Sequence, residues 1–408
     1  MTIITGLSGN EIYCIDQKGF TPGNIIVGNS VYSLGLLRSI GTGFKAMLGG
    51  ELEQVTHLIA EGREAAYKRM LHEANTANAT GITGVTSELI FHGTNIEFLS
   101  IGSLVHAKNK NTTTQFTSSA DGQELFAQMD AGYQPICFAF GNVAYSMGIT
   151  RGVIGAFKTL ARGEIKEYSD MFNHTRHLAL QRIIAHAEEH KANAVVGIKT
   201  TILPFSGLSE MLMIGTACHN AQLTGKLNQQ IITSDLTSVE MWNLATMGYA
   251  PVRLLLGTSV YSLGVIGGIT SALKSFVRGE ITELTKLIYD ARENALHIIS
   301  TEAKEMGADD VVGIKTYVYE LGGGLVEFLA IGTAVKKIDC KTESQQLPPQ
   351  VIVVDKDTYY DSTNPGNFSV NVNEDSKPIN TGGYLSIWNI LVFIIVAIIV
   401  CYNLFLKQ

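Results

Sequence analysis

Four of the ten histidines in this chain, His174, His177, His186 and His190, crowd into one short stretch, and imidazoles at such spacing can hold a metal ion. On a helix, at 100° per residue, His177 and His186 point in opposite directions, so the four form two pairs rather than one cluster. His186 and His190, at i and i+4, can share a divalent or heavy metal ion if further ligands join them. The alternative is a solvated pair near a helix C-terminus, where an imidazolium is favoured.

Charge supplies a second candidate. Arg63, Arg176 and Arg292 each border an apolar helix face, and an arginine so placed needs a partner. Glu97, Glu210 and Glu327, each at the start of a later apolar strand, offer carboxylates for it. A structural or inter-subunit ion pair is the favoured reading, ahead of an anion-binding role. Tyr32-Ser33, Tyr145-Ser146 and Tyr261-Ser262 stand beside glycine-rich stretches. A hydroxyl pair beside glycines can cradle a ligand, but no P-loop lysine and no GxGxxG with a following acid accompanies it. A packing tyrosine at a subunit interface is the simpler reading. Glu51, Glu164 and Glu280 each follow a glycine, where an acid in a first helical turn answers the helix dipole. There is no G-x-S-x-G, no HExxH, and no recurrent Cys/His or paired-carboxylate motif, so catalysis ranks third, behind assembly and ligand binding.

These residues come in threes because the chain repeats itself. Aligning Gly28, Gly141 and Gly257 superposes the tyrosines, the Gly-Glu pairs, the arginines, and Gly84, Gly197 and Gly313; the starts are 113 and then 116 residues apart. That exceeds the roughly 20–50-residue period of solenoids, so each repeat is a small domain. The histidine pair does not recur: Glu73 and Ala77, then Glu302 and Met306, occupy its places.

The elements that must position these residues read most clearly in the third repeat. A short helix or turn around Glu240-Met241-Trp242 ends in a Gly-Pro break, Gly248 to Pro251, and leads into a strand, Val252–Leu256. After an apolar, glycine-spaced stretch from Val260 to Val277, a long helix follows Arg278-Gly279. Its apolar positions from Ile281 to Ala303 recur with a period near 3.6. Gly307 suits the left-handed residue that ends it, as does Asn78 in the first repeat; Lys191 in the second does not. Asp310–Tyr319 and Val326–Val335 then form a hairpin. Each repeat therefore reads β, long α, β, β. Such a thin domain should bury its open face against other copies, which implies a homo-oligomer.

The 408-residue chain has a net charge of −7, which argues against a nucleic-acid partner. Its five cysteines form no CxxC and hold no recurrent place, which fits a reducing compartment. The N-terminus shows no secretory signal. Residues 341–385, polar and proline-containing, read as a flexible stalk reaching roughly 35–40 Å. Residues 386–406 are almost wholly aliphatic and match the roughly 30 Å thickness of a bilayer core, which predicts one transmembrane helix. On this reading the protein is tail-anchored in a membrane by a single pass, with its N-terminal domains in the cytoplasm.

Val311-Val312-Gly313-Ile314 and Ile331-Gly332-Thr333-Ala334-Val335 resemble the YbjQ-like family, also named for heavy-metal binding. The second repeat carries Val195-Val196-Gly197-Ile198 and Ile214-Gly215-Thr216-Ala217, and the first a looser version, Thr83-Gly84-Val85 and Ile101-Gly102-Ser103. Ala291-Arg292-Glu293 fits the same pattern. The resemblance implies an α+β fold with three tandem dodecin-like β-α-β-β domains, each two layers with an antiparallel sheet, over residues 1–110, 111–222 and 223–340. It also implies five-fold rings in single-domain members, from which a pentamer of three stacked rings is the expectation here. The family has no agreed catalytic residues to carry over, and the cofactor stays open, with a divalent or heavy metal as its candidate. The expected role is a membrane-tethered, non-catalytic assembly or binding platform; the alternative is a metal-ion or small-ligand sensor that uses pockets between subunits.

Overall fold

Each repeat opens on a capping box. Ser8, Asp121 and Thr237 accept the backbone N–H of Glu11, Glu124 and Glu240, whose carboxylates reach back to the cap. That reciprocal pairing starts three nine-residue helices, α1 (Gly9–Gln17), α3 (Gly122–Asp130) and α5 (Ser238–Thr246). It also explains why a glutamate recurs there. This computed structural model describes residues 2–33, 50–93, 95–109, 115–146, 163–205, 208–223, 230–262, 282–322 and 325–338. The proposed stalk, the aliphatic run and most of the Val260–Val277 stretch lie outside the described residues.

A long strand follows each short helix: β1 (Phe20–Ser33), β6 (Gln134–Ser146) and β11 (Tyr249–Ser262). Of the glycine-proline break, Gly19, Gly132 and Gly248 precede the strands as the sequence suggests, whereas Pro22, Pro135 and Pro251 lie inside them. Register slips at Pro22, Pro135 and Pro251, where a bulge accommodates a residue with no N–H to give. The strand then runs straight through the aligned glycine. A Cβ at Gly28, Gly141 or Gly257 would overlap the carbonyl oxygen of Ala66, Ala179 or Ala295 on the helix above. Only glycine permits that approach.

The long helices are α2 (Glu53–Thr76), α4 (Lys166–Glu189) and α6 (Thr282–Glu305), 24 residues each. Each ends in a six-to-one bond, Ala79 to Ala74, Ala192 to Ala187 and Ala308 to Ala303. The residue in between is left-handed in all three: Asn78, Gly307 and also Lys191, at φ 58°. The terminal hydrogen bond imposes that conformation even on a lysine.

The hairpins complete each repeat: β3 (Gly81–His92) with β4 (Asn95–Ala107), β8 (Ala194–Phe205) with β9 (Leu208–His219), and β12 (Asp310–Gly322) with β13 (Leu325–Lys337). Four two-residue strands then tie the repeats together: β2 (Gly50–Glu51), β5 (Phe116–Thr117), β7 (Gly163–Glu164) and β10 (Ile232–Thr233). The sheets run β1-β4-β3-β5, β10-β8-β9-β6-β2 and β12-β13-β11-β7. The first and second repeats thus each lend a strand to the sheet after them, and take one from that following repeat in return. The borrowed β5 and β10 lie parallel to their hosts, so the first two sheets are not purely antiparallel as expected, while the third is.

The β-α-β-β core is present three times, and α2 and α4 each lie between their own sheet and the next, while α6 packs on its own sheet. Ala144 of the second repeat packs with Leu52, Val55 and Ile59 of the first. Leu254, Leu256 and Val260 of the third pack with Tyr168 and Phe172 of the second.

One part of the expected fold is corrected. No helix among the described residues is long and apolar enough to cross a membrane. At 1.5 Å per residue the 24-residue helices have the length, but they carry charges on most turns. The expectations of a transmembrane helix over 386–406 and of a tail-anchored, cytoplasm-facing placement are withdrawn on that finding; 386–406 lie outside the described residues.

Candidate functional site

The recurrent arginines and glutamates meet across the junctions between repeats. Arg63 of the first repeat holds Glu210 of the second through two bonds, Nε to Oε1 at 3.0 Å and Nη2 to Oε2 at 2.7 Å. Its Nη1 donates to the carbonyl and hydroxyl of Ser87. One repeat on, Arg176 Nη2 reaches both oxygens of Glu327, at 2.8 and 3.0 Å. Both pairs are buried. The sequence supplied the correct residue types, but the pairing skips to the next repeat, which periodicity alone does not reveal.

The rest of the junction is built in register with these pairs. Just before α2, Leu52 N–H donates to Ala144 O, and Ile165 N–H before α4 donates to Val260 O. One turn into each helix a hydroxyl caps the next repeat's strand: Ala144 N–H donates to Thr56 Oγ1 and Val260 N–H to Ser169 Oγ. Asn173 exchanges two bonds with the backbone of Thr258. Thr56, Ser169 and Thr285 share one place in the repeat, a recurrent hydroxyl that sequence reasoning passed over. Glu51 and Glu164 lie in β2 and β7 rather than in a first helical turn. Glu51 pairs with Arg182 at 2.6 Å, and Glu164 accepts from Asn294 at 3.2 Å, each across a junction.

The tyrosines pack. Tyr145 lies edge-on to Phe172 at 5.6 Å, with the Arg176 guanidinium 5.0 Å from its ring. Tyr32 meets Phe98 edge-on, and the Tyr261 hydroxyl accepts from Asn294. No hydroxyl pair forms a cradle with a neighbouring glycine loop among the described residues.

The histidines separate as the helical geometry requires. His177 Nδ1 donates to Asn173 O, and Nε2 faces Glu302 of the third repeat at 3.0 Å. That hydrogen bond outweighs burial and holds the imidazole above its ordinary range. His174 is exposed. His186 and His190 do come together, ring centroids 5.0 Å apart. Yet His186 Nδ1 accepts the Phe140 N–H at 3.2 Å, and His190 Nδ1 donates to His186 O. Burial, and then His190, hold His186 below its ordinary range. A neutral imidazole that accepts at Nδ1 carries its proton on Nε2, so no lone pair is left for an ion. No group of three His, Cys, Asp or Glu suited to a metal occurs among the described residues. Burial pushes the Cys14 thiol up to about 11 and Cys137 up to about 12, which withholds the thiolates an ion would want. The described residues do not fit a heavy-metal centre.

The outer repeats present half-junctions. Arg292 is exposed and has no carboxylate partner among the described residues. Glu97 is instead held by Asn29 Nδ2 at 2.9 Å and His92 Nε2 at 2.6 Å, and those two bonds lower its pKa.

A family model, YbjQ, described as "Putative heavy-metal-binding", matches residues 18–102, 133–221 and 248–338. This is a YbjQ-family chain of three tandem copies. The matched segments begin at or near the long strand and end in the hairpin or just past it, so each YbjQ unit is the β-α-β-β core. Among relatives, an encapsulin nanocompartment protein of Mycobacterium tuberculosis is 28% identical over 206 residues, covering 48% of this chain and 76% of that protein. UPF0145 proteins of Colwellia psychrerythraea and Thermotoga petrophila are 42% and 45% identical over 78 and 80 residues. Each alignment covers 19% of this chain and 74% of the relative, so one YbjQ repeat corresponds to most of such a protein. No solved structure matches the chain.

Proposed function

We propose that this chain is a non-catalytic assembly platform whose YbjQ repeats are tiles joined edge to edge. The observation that carries this reading is the pair of buried inter-repeat bridges, Arg63–Glu210 and Arg176–Glu327. Two of the three recurrent arginines and two of the three recurrent glutamates are consumed in joining tiles. The encapsulin nanocompartment name of one relative supports a binding or assembly role. Successive tiles within one chain also favour an arrangement in which each chain supplies three neighbours, over one in which every repeat founds its own stacked ring.

A metal-ion sensor is the second reading. It draws on the family description and on the close His186–His190 pair. Calorimetric titration of the full chain with Zn²⁺ and with Cu²⁺ separates the two. The platform predicts no stoichiometric uptake. One ion per chain, lost in His186→Ala, would favour the sensor, and one ion per repeat would overturn the platform.

A further inference from the structure

The two ends of the tile row are complementary halves of the junction that occurs twice inside it. At the leading end, the outer face of β1 is bare. Val31 is 58% exposed and Val27 47%, whereas Ala144 and Val260, equivalent to Val31, are fully buried beneath the preceding helix, and of the equivalents of Val27, Leu256 is fully buried and Phe140 half-buried. At the trailing end, α6 presents the matching stripe. Ile288 is 36% exposed, while its equivalents Ile59 and Phe172 are buried completely. Arg292 lies one turn further along the same stripe, in the place where Arg63 and Arg176 find their glutamates. Glu97 lies on β4, beside β1, where Glu210 and Glu327 receive those arginines.

The sheet edges match as well. Phe116–Thr117 and Ile232–Thr233 add a parallel strand to the hairpin of the repeat before them. Their equivalents in the first repeat are Ile3 and Ile4, 51% and 71% exposed, and part of no sheet among the described residues. At the far end the corresponding hairpin edge, β12, borrows no strand among the described residues. Ile314 there is exposed, while its equivalents Val85 and Ile198 are buried by the borrowed segment.

We propose that a second copy of this chain completes each half-junction, head to tail. Arg292 of one copy pairs with Glu97 of the next, α6 covers the β1 face, and the Ile3–Ile4 segment of that next copy adds to the β12 edge. The occupant is a second copy because the repeat junction is already built twice from the same residue positions, with apolar stripe, charge and sheet edge all in register. Such a heterologous contact propagates: it closes into a ring if the rotation permits and otherwise extends as a filament. The inference rests on the platform reading and extends it from within the chain to between chains.

Full-length protein at 10 µM in ~0.15 M salt is weighed by mass photometry and light scattering, alone and with two blocking variants. Arg292→Glu blocks the tail; Val31→Glu blocks the head. Both positions are exposed, and circular dichroism checks that each variant keeps the wild-type spectrum. The expectation is a multi-chain wild type and single-chain variants, their association weakened on the order of 10²–10³-fold, as for breaking a buried ion pair. An equimolar mixture of the two variants retains one intact tail and one intact head, and should give a two-chain species and nothing larger. A single-chain wild type, variants of wild-type mass, or a mixture that stays single-chain would each overturn the proposal. A single-chain wild type whose internal bridges still stabilise it would leave the within-chain tile reading standing, so the two failures are distinguishable.

Discussion

Arg63 and Glu210, 147 residues apart, meet in a bidentate, fully buried ion pair that joins the first repeat to the second. Removing one partner strands the other charge in the interior. Arg63→Met is expected to destabilise the first junction by about 3–5 kcal/mol, and Glu210→Met by a similar amount. The double variant should recover most of that loss, because no buried charge remains. A double-mutant cycle by urea denaturation checks this; two additive single losses would show that the pair does not act as a unit.

Gly141 lies where α4 crosses β6, and an added methyl would overlap Ala179 O. Since the obstacle is backbone on both sides, neither element can yield cheaply. Gly141→Ala is expected to cost about 1–3 kcal/mol or more, read as a lower thermal midpoint. A neutral result would mean that the helix lies further from the strand than described.

The His177–Glu302 contact makes the second junction sensitive to pH. The hydrogen bond that His177 donates to Glu302 raises the folded pKa of His177, against burial and the Arg253 charge, which lower it. A raised histidine contributes its full stability below its unfolded pKa, near 6.5. That contribution fades as pH rises through the folded value. Wild type should therefore lose more thermal stability than His177→Gln between pH 6 and pH 8. Parallel curves for the two proteins would refute this.

Asp121 carries the opposite cost. Burial, then Glu124 and Glu11, push its carboxyl up to about 7, while the backbone bond and Lys199 pull it down. The folded state holds a proton that the unfolded state releases near 4, so stability is lost as pH rises from about 4 to 7. Asp121→Asn keeps the capping acceptor without the charge. Its thermal midpoint should exceed that of wild type at pH 8 and approach it at pH 4; a lower midpoint at pH 8 would contradict this assignment.

Much of this fold was legible in the residues. The period near 3.6 located α6, the β-branched runs located β12 and β13, and the aligned landmarks gave three copies. The arginines and glutamates were recognisable as partners because a guanidinium beside an apolar face requires one. The offset between them was not legible, because identical spacing in all three repeats fits pairing within a repeat as well as it fits pairing with the next. Lys191 shows the same kind of limit: propensity speaks against a left-handed lysine, and the hydrogen bond closing α4 overrides it. His186 and His190 were legible as neighbours but not as poor ligands, since the Phe140 N–H that occupies His186 arrives from a strand 46 residues away.

The most direct test of the account is the native mass of the full chain, purified without added metal and sprayed from a volatile buffer. Tiles that join head to tail between chains predict a whole number of chains greater than one, with no mass beyond the polypeptide. A single chain carrying one bound ion or small molecule per repeat would contradict the account.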